Sequence, residues 1–230
     1  MKRIVQPELL DTLPPDDPRA RQSRRDLQRI NTVMRHHTFL VGALRKAVNG
    51  RMPKRITELG AGDGHFLLRV AEPLSLFWPN VNVTLLDQQR TVSHSTLAGF
   101  GALGWPTEEI VTDALSWAGD DKQPVDLVVS NLFLHHLSDT QLGSLFEALA
   151  GRARLFVALE PRRGRWPLAC SRLLWMIGCN SVTCYDAAVS VRAGFSGWEL
   201  SALWPSSRDW ELTESSVGFF SHIFVARRKT

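Results

Sequence analysis

Residues 56–66 read Ile-Thr-Glu-Leu-Gly-Ala-Gly-Asp-Gly-His-Phe, which sets the carboxylate of Glu58 two positions ahead of glycines at 60, 62 and 64. Glycine adopts positive φ without penalty and lets a ligand come close to the backbone, so the run predicts a strand, a tight ligand-facing turn and a helix. A dinucleotide fingerprint would need its third glycine five positions after the first, to seat a pyrophosphate at a helix N-terminus. That position is His65 here. An acid ending the preceding strand accepts instead from a cationic amino group, which the amino-acid end of a sulfonium nucleoside carries and a dinucleotide lacks. The bland alternative is an ordinary glycine turn beside a surface Glu.

Three further stretches carry acids or histidines where strands should end. Leu85-Leu86-Asp87 offers a carboxylate able to accept from both hydroxyls of a vicinal diol, Thr112-Asp113-Ala114 offers a second acid, and Asp126 to Leu137 runs through Ser130-Asn131-Leu132-Phe133-Leu134-His135-His136. Asp87 and Asp113 could equally be helix caps or turn residues, and Asp126 could simply begin a strand.

The elements that must hold these groups follow from periodicity. Strands are expected at 55–59, 81–86, 108–112, 125–130 and 153–159, with helices at 64–75, 90–103 and 139–150. Such alternation predicts a mostly parallel sheet that binds ligands at the carboxyl ends of its strands. Val125 to Val129 is apolar on both faces after Asp126, as a central parallel strand requires. Trp198 to Trp204 and Phe219 to Ala226 are read as strands forming an antiparallel edge pair, which brings the sheet to seven. Ahead of the sheet, Asp17-Pro18 predicts a helix cap with proline in the first turn. Leu27, Ile30, Val33, Met34, Val41, Leu44 and Val48 keep helical spacing, with a break expected near His36-His37-Thr38 and an end at Asn49-Gly50. This front region is expected beside the ligand mouth.

With those elements placed, the chain from about residue 50 onward resembles the class I S-adenosylmethionine-dependent methyltransferases, in the branch of quinone-biosynthetic and other small-molecule enzymes. Glu58 to Gly64 resembles the family's first motif, Asp87 its ribose-binding acid, Asp113-Ala114 its adenine-contacting loop, and Asp126 to Leu137, with paired histidines, its fourth motif. The resemblance implies a Rossmann-like α/β sandwich with a C-terminal antiparallel strand, S-adenosylmethionine as cofactor, and a cofactor site of Glu58, Gly60, Ala61, Gly62, Asp87, Gln88, Asp113, Ala114 and Asn131. On this reading residues 1–50 are expected to form an N-terminal leader and helical extension, and 51–230 the methyltransferase domain. Residues 162–195 are an insertion long enough to cover the acceptor.

Methyl transfer is an in-line displacement in which charge is lost, so a dry, aligned pocket supplies most of the catalysis. If the acceptor is a phenol, His135 or His136 could remove its proton, with Tyr185 and Asp186 as rivals. Only one histidine of the pair can easily face the pocket, and a structural role for either is the competing reading. Trp166, Leu168, Leu173, Leu174, Trp175, Met176 and Ile177, behind Arg162, Arg163 and Arg165, could bind an apolar ligand, lie on a membrane surface, or pack as ordinary core. Ser130 to Phe133 lacks the Asn/Asp-Pro-Pro-aromatic tetrad of base-methylating enzymes, and the arginines between 19 and 35 have no interleaved aromatics for stacking. The acceptor is therefore expected to be a small, largely hydrophobic molecule, phenolic, quinone-like or polyketide-type, methylated at oxygen. Carbon methylation, a nucleic-acid or protein acceptor, and a non-catalytic cofactor-binding module are the alternatives.

Composition agrees with one core: 230 residues, 44% apolar, net charge +4. Nothing in Met1 to Glu8 resembles a signal peptide, so a cytoplasmic protein is expected. Cysteines at 170, 179 and 184 have no zinc-type spacing, and no metal is expected.

Overall fold

The computed structural model describes every residue except 15, 49, 121–123, 206 and 230, together with all side chains but those of 120 and 207 among the rest. Asn49, expected to end the front helices, lies outside the described residues. After a short helix α1 (Leu9–Thr12), Asp17 caps α2 (Pro18–Val33) by accepting from the Arg19 amide, with Pro18 in the first turn. The break before α3 (His36–Ala47) falls slightly earlier than expected. Arg35 takes φ 56° there, and so turns the chain between two helices.

The sheet begins with β1 (Arg55–Leu59), followed by α4 (His65–Leu74), β2 (Asn82–Asp87), α5 (His94–Ala102) and β3 (Thr107–Val111). Then come α6 (Ala114–Asp120), β4 (Val125–Asn131), α7 (Asp139–Arg152) and β5 (Ala153–Pro161). Helices α8 (Arg165–Ser171), α9 (Ser181–Ala193) and α10 (Glu199–Leu203) precede β6 (Trp210–Val217) and β7 (Ser221–Arg228). Strand order is β3-β2-β1-β4-β5-β7-β6. Neighbours from β3 to β5 pair parallel, and β7 runs antiparallel to both β5 and β6. The seven-stranded, mostly parallel α/β sandwich matches the sequence expectation.

Alternation along the central strands sends side chains to two cores. Val128, Phe156 and Ala158 meet Leu142, Phe146 and Leu149 of α7, whereas Leu127, Val129, Val157 and Leu159 face Leu40 and Leu44 of α3 and Leu67 of α4. Burial on both faces explains why β4 reads as a continuous apolar run.

The tail differs from the sequence reading. Residues 198–204 are not a strand: Leu200 and Trp204 are spaced for one helical face, and both are buried. The carboxylate of Glu214 accepts from the Leu200 and Ser201 amides at the start of α10. Trp204 stacks on Phe156 at 5.7 Å between ring centroids. The edge strand is β6 instead. Its pattern was hidden because a buried position is held by Glu214, which His222 of β7 satisfies at 2.8 Å. Helix α6 was likewise not foreseen, because it is only seven residues long. Among the described residues no helix is long and apolar enough to cross a membrane.

Candidate active site

Strand order reverses between β1 and β4, and the carboxyl ends of these strands open into a cavity of about 620 Å³. Glu58, Gly60, Ala61, Gly62, Asp87, Gln88, Asp113, Ala114, Asn131, His135 and His136 all line it. Tyr185 does not: it is half exposed and lies outside the cavity.

The glycine turn is built as its sequence demands. Gly60 and Gly62 have φ of 66° and 55°. A Cβ at Gly60 would lie 2.5 Å from Cδ2 of Phe133, whereas one at Gly62 would meet nothing within 4 Å, so position 62 leaves open space for a ligand. Glu58 is 2% exposed and its Oε2 has no hydrogen-bond partner. Burial, reinforced by the charges of Asp63 and Asp87, pushes its carboxyl well above the ordinary range. A buried acceptor without a partner is the feature that a bound ammonium group would resolve.

Asp87 takes hydrogen bonds from the amides of Gly62 (2.8 Å) and Gln89 (2.9 Å), one on each oxygen. Each oxygen keeps a second lone pair for a diol. Asp113 caps α6 through the Leu115 and Ser116 amides, and its other oxygen accepts from Gln88. The cap and the cavity-facing role therefore coexist in one side chain. Asn131 is bonded to Nδ1 of His36 at 3.0 Å. The other ring nitrogen of His36 meets Ser221 at 2.7 Å, and burial drops this imidazole to about 4, so it stays neutral. Helix α2 crosses the mouth: Gln28 donates to Asp63 at 2.6 Å and Arg24 to Gln89 at 3.0 Å.

The two histidines have separate environments. Leu132, with φ 54°, turns the chain after β4, and the carboxylate of Glu160 accepts from the amides of Phe133, Leu134 and His135. His135 is fully enclosed, with Nδ1 2.8 Å from Glu160 and Nε2 3.3 Å from Glu8. Burial alone would lower its pKa, but the hydrogen bonds and charges of the two carboxylates outweigh it and raise it to about 9. Both nitrogens are committed and the ring is an imidazolium at neutral pH, so His135 is ill suited to accept a proton. His136 is different. Its Nδ1 lies 3.2 Å from the carboxylate of Asp11, and its side chain is less enclosed than that of His135.

Sequence reasoning did not single out Glu8, Asp11 or Glu160. Glu8 and Asp11 arrive from the leader, which is fastened to the same turn. Arg3 donates to the carbonyl of Leu137 at 2.7 Å and pairs with Asp139. The Leu9 and Leu10 amides bond Asp186, whose carboxyl burial raises to about 6. No local signal links residues 3–11 to 134–139, so spacing could not have found them. Glu8, His135 and His136 offer ligand atoms within 4.8 Å of one another, a grouping that sequence spacing does not show.

No family model and no curated protein matches this chain. Among solved structures, the same fold is found in several methyltransferases. The chain is similar to the plantazolicin methyltransferase BamL in complex with a triazolic desmethylPZN analog and SAH, with a TM-score of 0.64 and 13% identity over 96% of this chain and 93% of that one. It is similar also to magnesium protoporphyrin IX methyltransferase (ChlM) from Synechocystis with bound SAM, at 0.54 and 14% over 90% and 84%. An O-methyltransferase family protein from Burkholderia thailandensis gives 0.60 and 17% over 94% of this chain. That protein is longer, and the chain spans 61% of it.

Proposed function

We propose that the protein is an S-adenosylmethionine-dependent methyltransferase that methylates oxygen on a small, largely hydrophobic acceptor of phenolic, quinone-like or polyketide type. The observation that carries this reading is the buried Glu58 carboxyl, with one oxygen unpartnered, in the same cavity as Asp87, at the carboxyl ends of the neighbouring strands β1 and β2. Glu58 would accept from the cofactor's ammonium and Asp87 from its ribose hydroxyls, and the Asp113-Ala114 turn with Gln88 would hold the adenine end. Gly60 and Gly62 keep the backbone clear of it, and Asn131 holds the β4 side. When bound, S-adenosylmethionine supplies an electrophilic methyl group on sulfur, which departs as a neutral thioether.

His136 takes the acceptor's hydroxyl proton on Nε2 while Asp11 stabilises the resulting imidazolium through Nδ1. The proton balance is thus closed by the protein: O–H breaks, O–CH₃ forms, and the proton resides on His136. His135 is a positioning residue, locking the turn that carries His136. Residues 1–50 act as a cap on the cavity and 162–195 as the acceptor-side cover. Support comes from the apolar lining contributed by Leu10, Leu27, Pro167, Leu174 and Val191. The arginines of α2 are partly spent within the chain, Arg19 on Asp17 and Arg29 on Asp26, which disfavours a nucleic-acid acceptor.

The test is incubation with isotopically labelled cofactor and a phenol and quinone panel, followed by mass analysis of the product. Label on oxygen supports the reading, and label on ring carbon replaces it with carbon methylation. Cofactor binding with no product across the panel would favour a non-catalytic binder. Asp87→Ala should abolish both binding and turnover.

A further inference from the structure

Five of the chain's exposed large apolar side chains fall within residues 166–177: Trp166 at 80% exposure, Leu173, Trp175 at 64%, Met176 at 65% and Ile177. They belong to α8 and the single 3-10 turn Leu174–Ile177 that follows it. The opposite side of this segment is not exposed. Pro167 and Ser171 are buried, and with Cys170 and Leu174 they line the acceptor side of the cavity, whose rim the exposed Ile177 also borders. One amphipathic element therefore separates the cavity from solvent and turns an aromatic and aliphatic surface outward.

Charge identifies the occupant. Between Glu160 and Asp186 the chain contains no acid, and Arg162, Arg165 and Arg172 are exposed alongside the apolar side chains. Arg163, the fourth cation, is buried against Glu199 and is not part of the surface. Tryptophan, methionine and leucine in a stretch of chain whose charged residues are all arginines form the composition that seats in the interface of an anionic bilayer, with rings at headgroup depth and guanidinium groups on the phosphates. The contact is peripheral, since no described helix can cross a membrane.

We propose that α8 and the 174–177 turn dock this protein on anionic lipid surfaces, so that its acceptor passes from the bilayer into the cavity. The acceptor route rests on the methyltransferase reading, whereas the docking stands on the surface itself. A neighbouring feature extends the same path. Val33, 72% exposed, and Met34 lie at the end of α2 and also line the cavity, adding apolar side chains to its rim.

The experiment is co-sedimentation of the full chain with phosphatidylcholine vesicles and with vesicles containing 30% phosphatidylglycerol. The expected result is association with the anionic vesicles that weakens as salt is raised. Trp166→Ala and Trp175→Ala should each weaken it about tenfold, the scale for returning most of one large apolar side chain to water. Arg165→Glu with Arg172→Glu should remove the preference for anionic lipid. Both tryptophans are exposed and outside the cavity lining, so thermal unfolding and adenosylhomocysteine binding should be unchanged. Absence of binding to either vesicle, or binding that survives both tryptophan substitutions, would overturn the proposal. Lipid-free dimers abolished by the same substitutions would assign the surface to a second copy instead. Failed docking with intact adenosylhomocysteine binding would leave the cofactor reading standing.

Discussion

Replacing Glu58 with glutamine tests the cofactor site through a proton as well as an affinity. The carboxyl is 2% exposed, has an unpartnered oxygen, and is held well above its ordinary range by burial and by Asp63 and Asp87. It therefore keeps its proton to higher pH than a solvated Glu. An ammonium group beside it reverses the preference, so ligand binding should expel up to one proton. A charge-assisted bond contributes about 1.5–3 kcal/mol against about 0.5–1.5 for a neutral one. The net loss in Glu58→Gln is then about 1–2 kcal/mol, or about 5- to 30-fold in adenosylhomocysteine affinity. Calorimetric titration in two buffers of different ionisation enthalpy should show proton release in the native protein and none in the variant. Wild-type affinity should also climb with pH until the carboxyl ionises unaided. The stability sign is opposite: an acid whose folded pKa is raised costs stability as pH rises above the unfolded value, because the unfolded chain ionises first. Glu58→Gln should accordingly melt about 2–8 °C higher without added ligand, taking about 1–2 kcal/mol for relief of the buried carboxyl. Equal heats in the two buffers, with unchanged affinity in the variant, would refute the reasoning.

Other outcomes follow from the same geometry. His135, raised from 6.5 to about 9, contributes stability that is complete below pH 6.5 and disappears as pH climbs through about 9; at about 1.36 kcal/mol per unit this is about 3 kcal/mol, to be read from urea midpoints between pH 6 and 10. Glu160→Ala strands that imidazolium and should cost about 3–5 kcal/mol, visible as a large fall in Tm. His136→Ala should lower kcat about 100-fold or more while leaving adenosylhomocysteine affinity intact, and Asp11→Asn should shift the pH profile of kcat; a pH-independent kcat unaffected by either substitution would remove the general base. Gly60→Ala, whose Cβ would press on Phe133 at a φ of 66°, should displace the 133–136 turn and lose both cofactor binding and turnover, monitored by titration calorimetry and rate.

Local chemistry made much of the site legible from the chain alone. Positive φ at 60 and 62 demands glycine, and an acid closing a hydrophobic run marks a strand end, so Glu58, Gly60, Gly62, Asp87 and Asp113 could be assigned to one cavity before any coordinates existed. A continuous apolar run likewise announced β4, because a strand buried on both faces needs no alternation. The tail was misread for the converse reason: Leu200 and Trp204 satisfy a helix as well as a strand, and only packing on Phe156 and capping by Glu214 chose between them. The division of labour between His135 and His136 belonged wholly to tertiary structure. Two adjacent identical residues acquire different surroundings only when Glu160 arrives from β5, and Glu8 and Asp11 from a leader more than 120 positions away. Backbone geometry is written residue by residue, whereas the electrostatic field at a buried ring is set by whichever distant charges the fold brings against it.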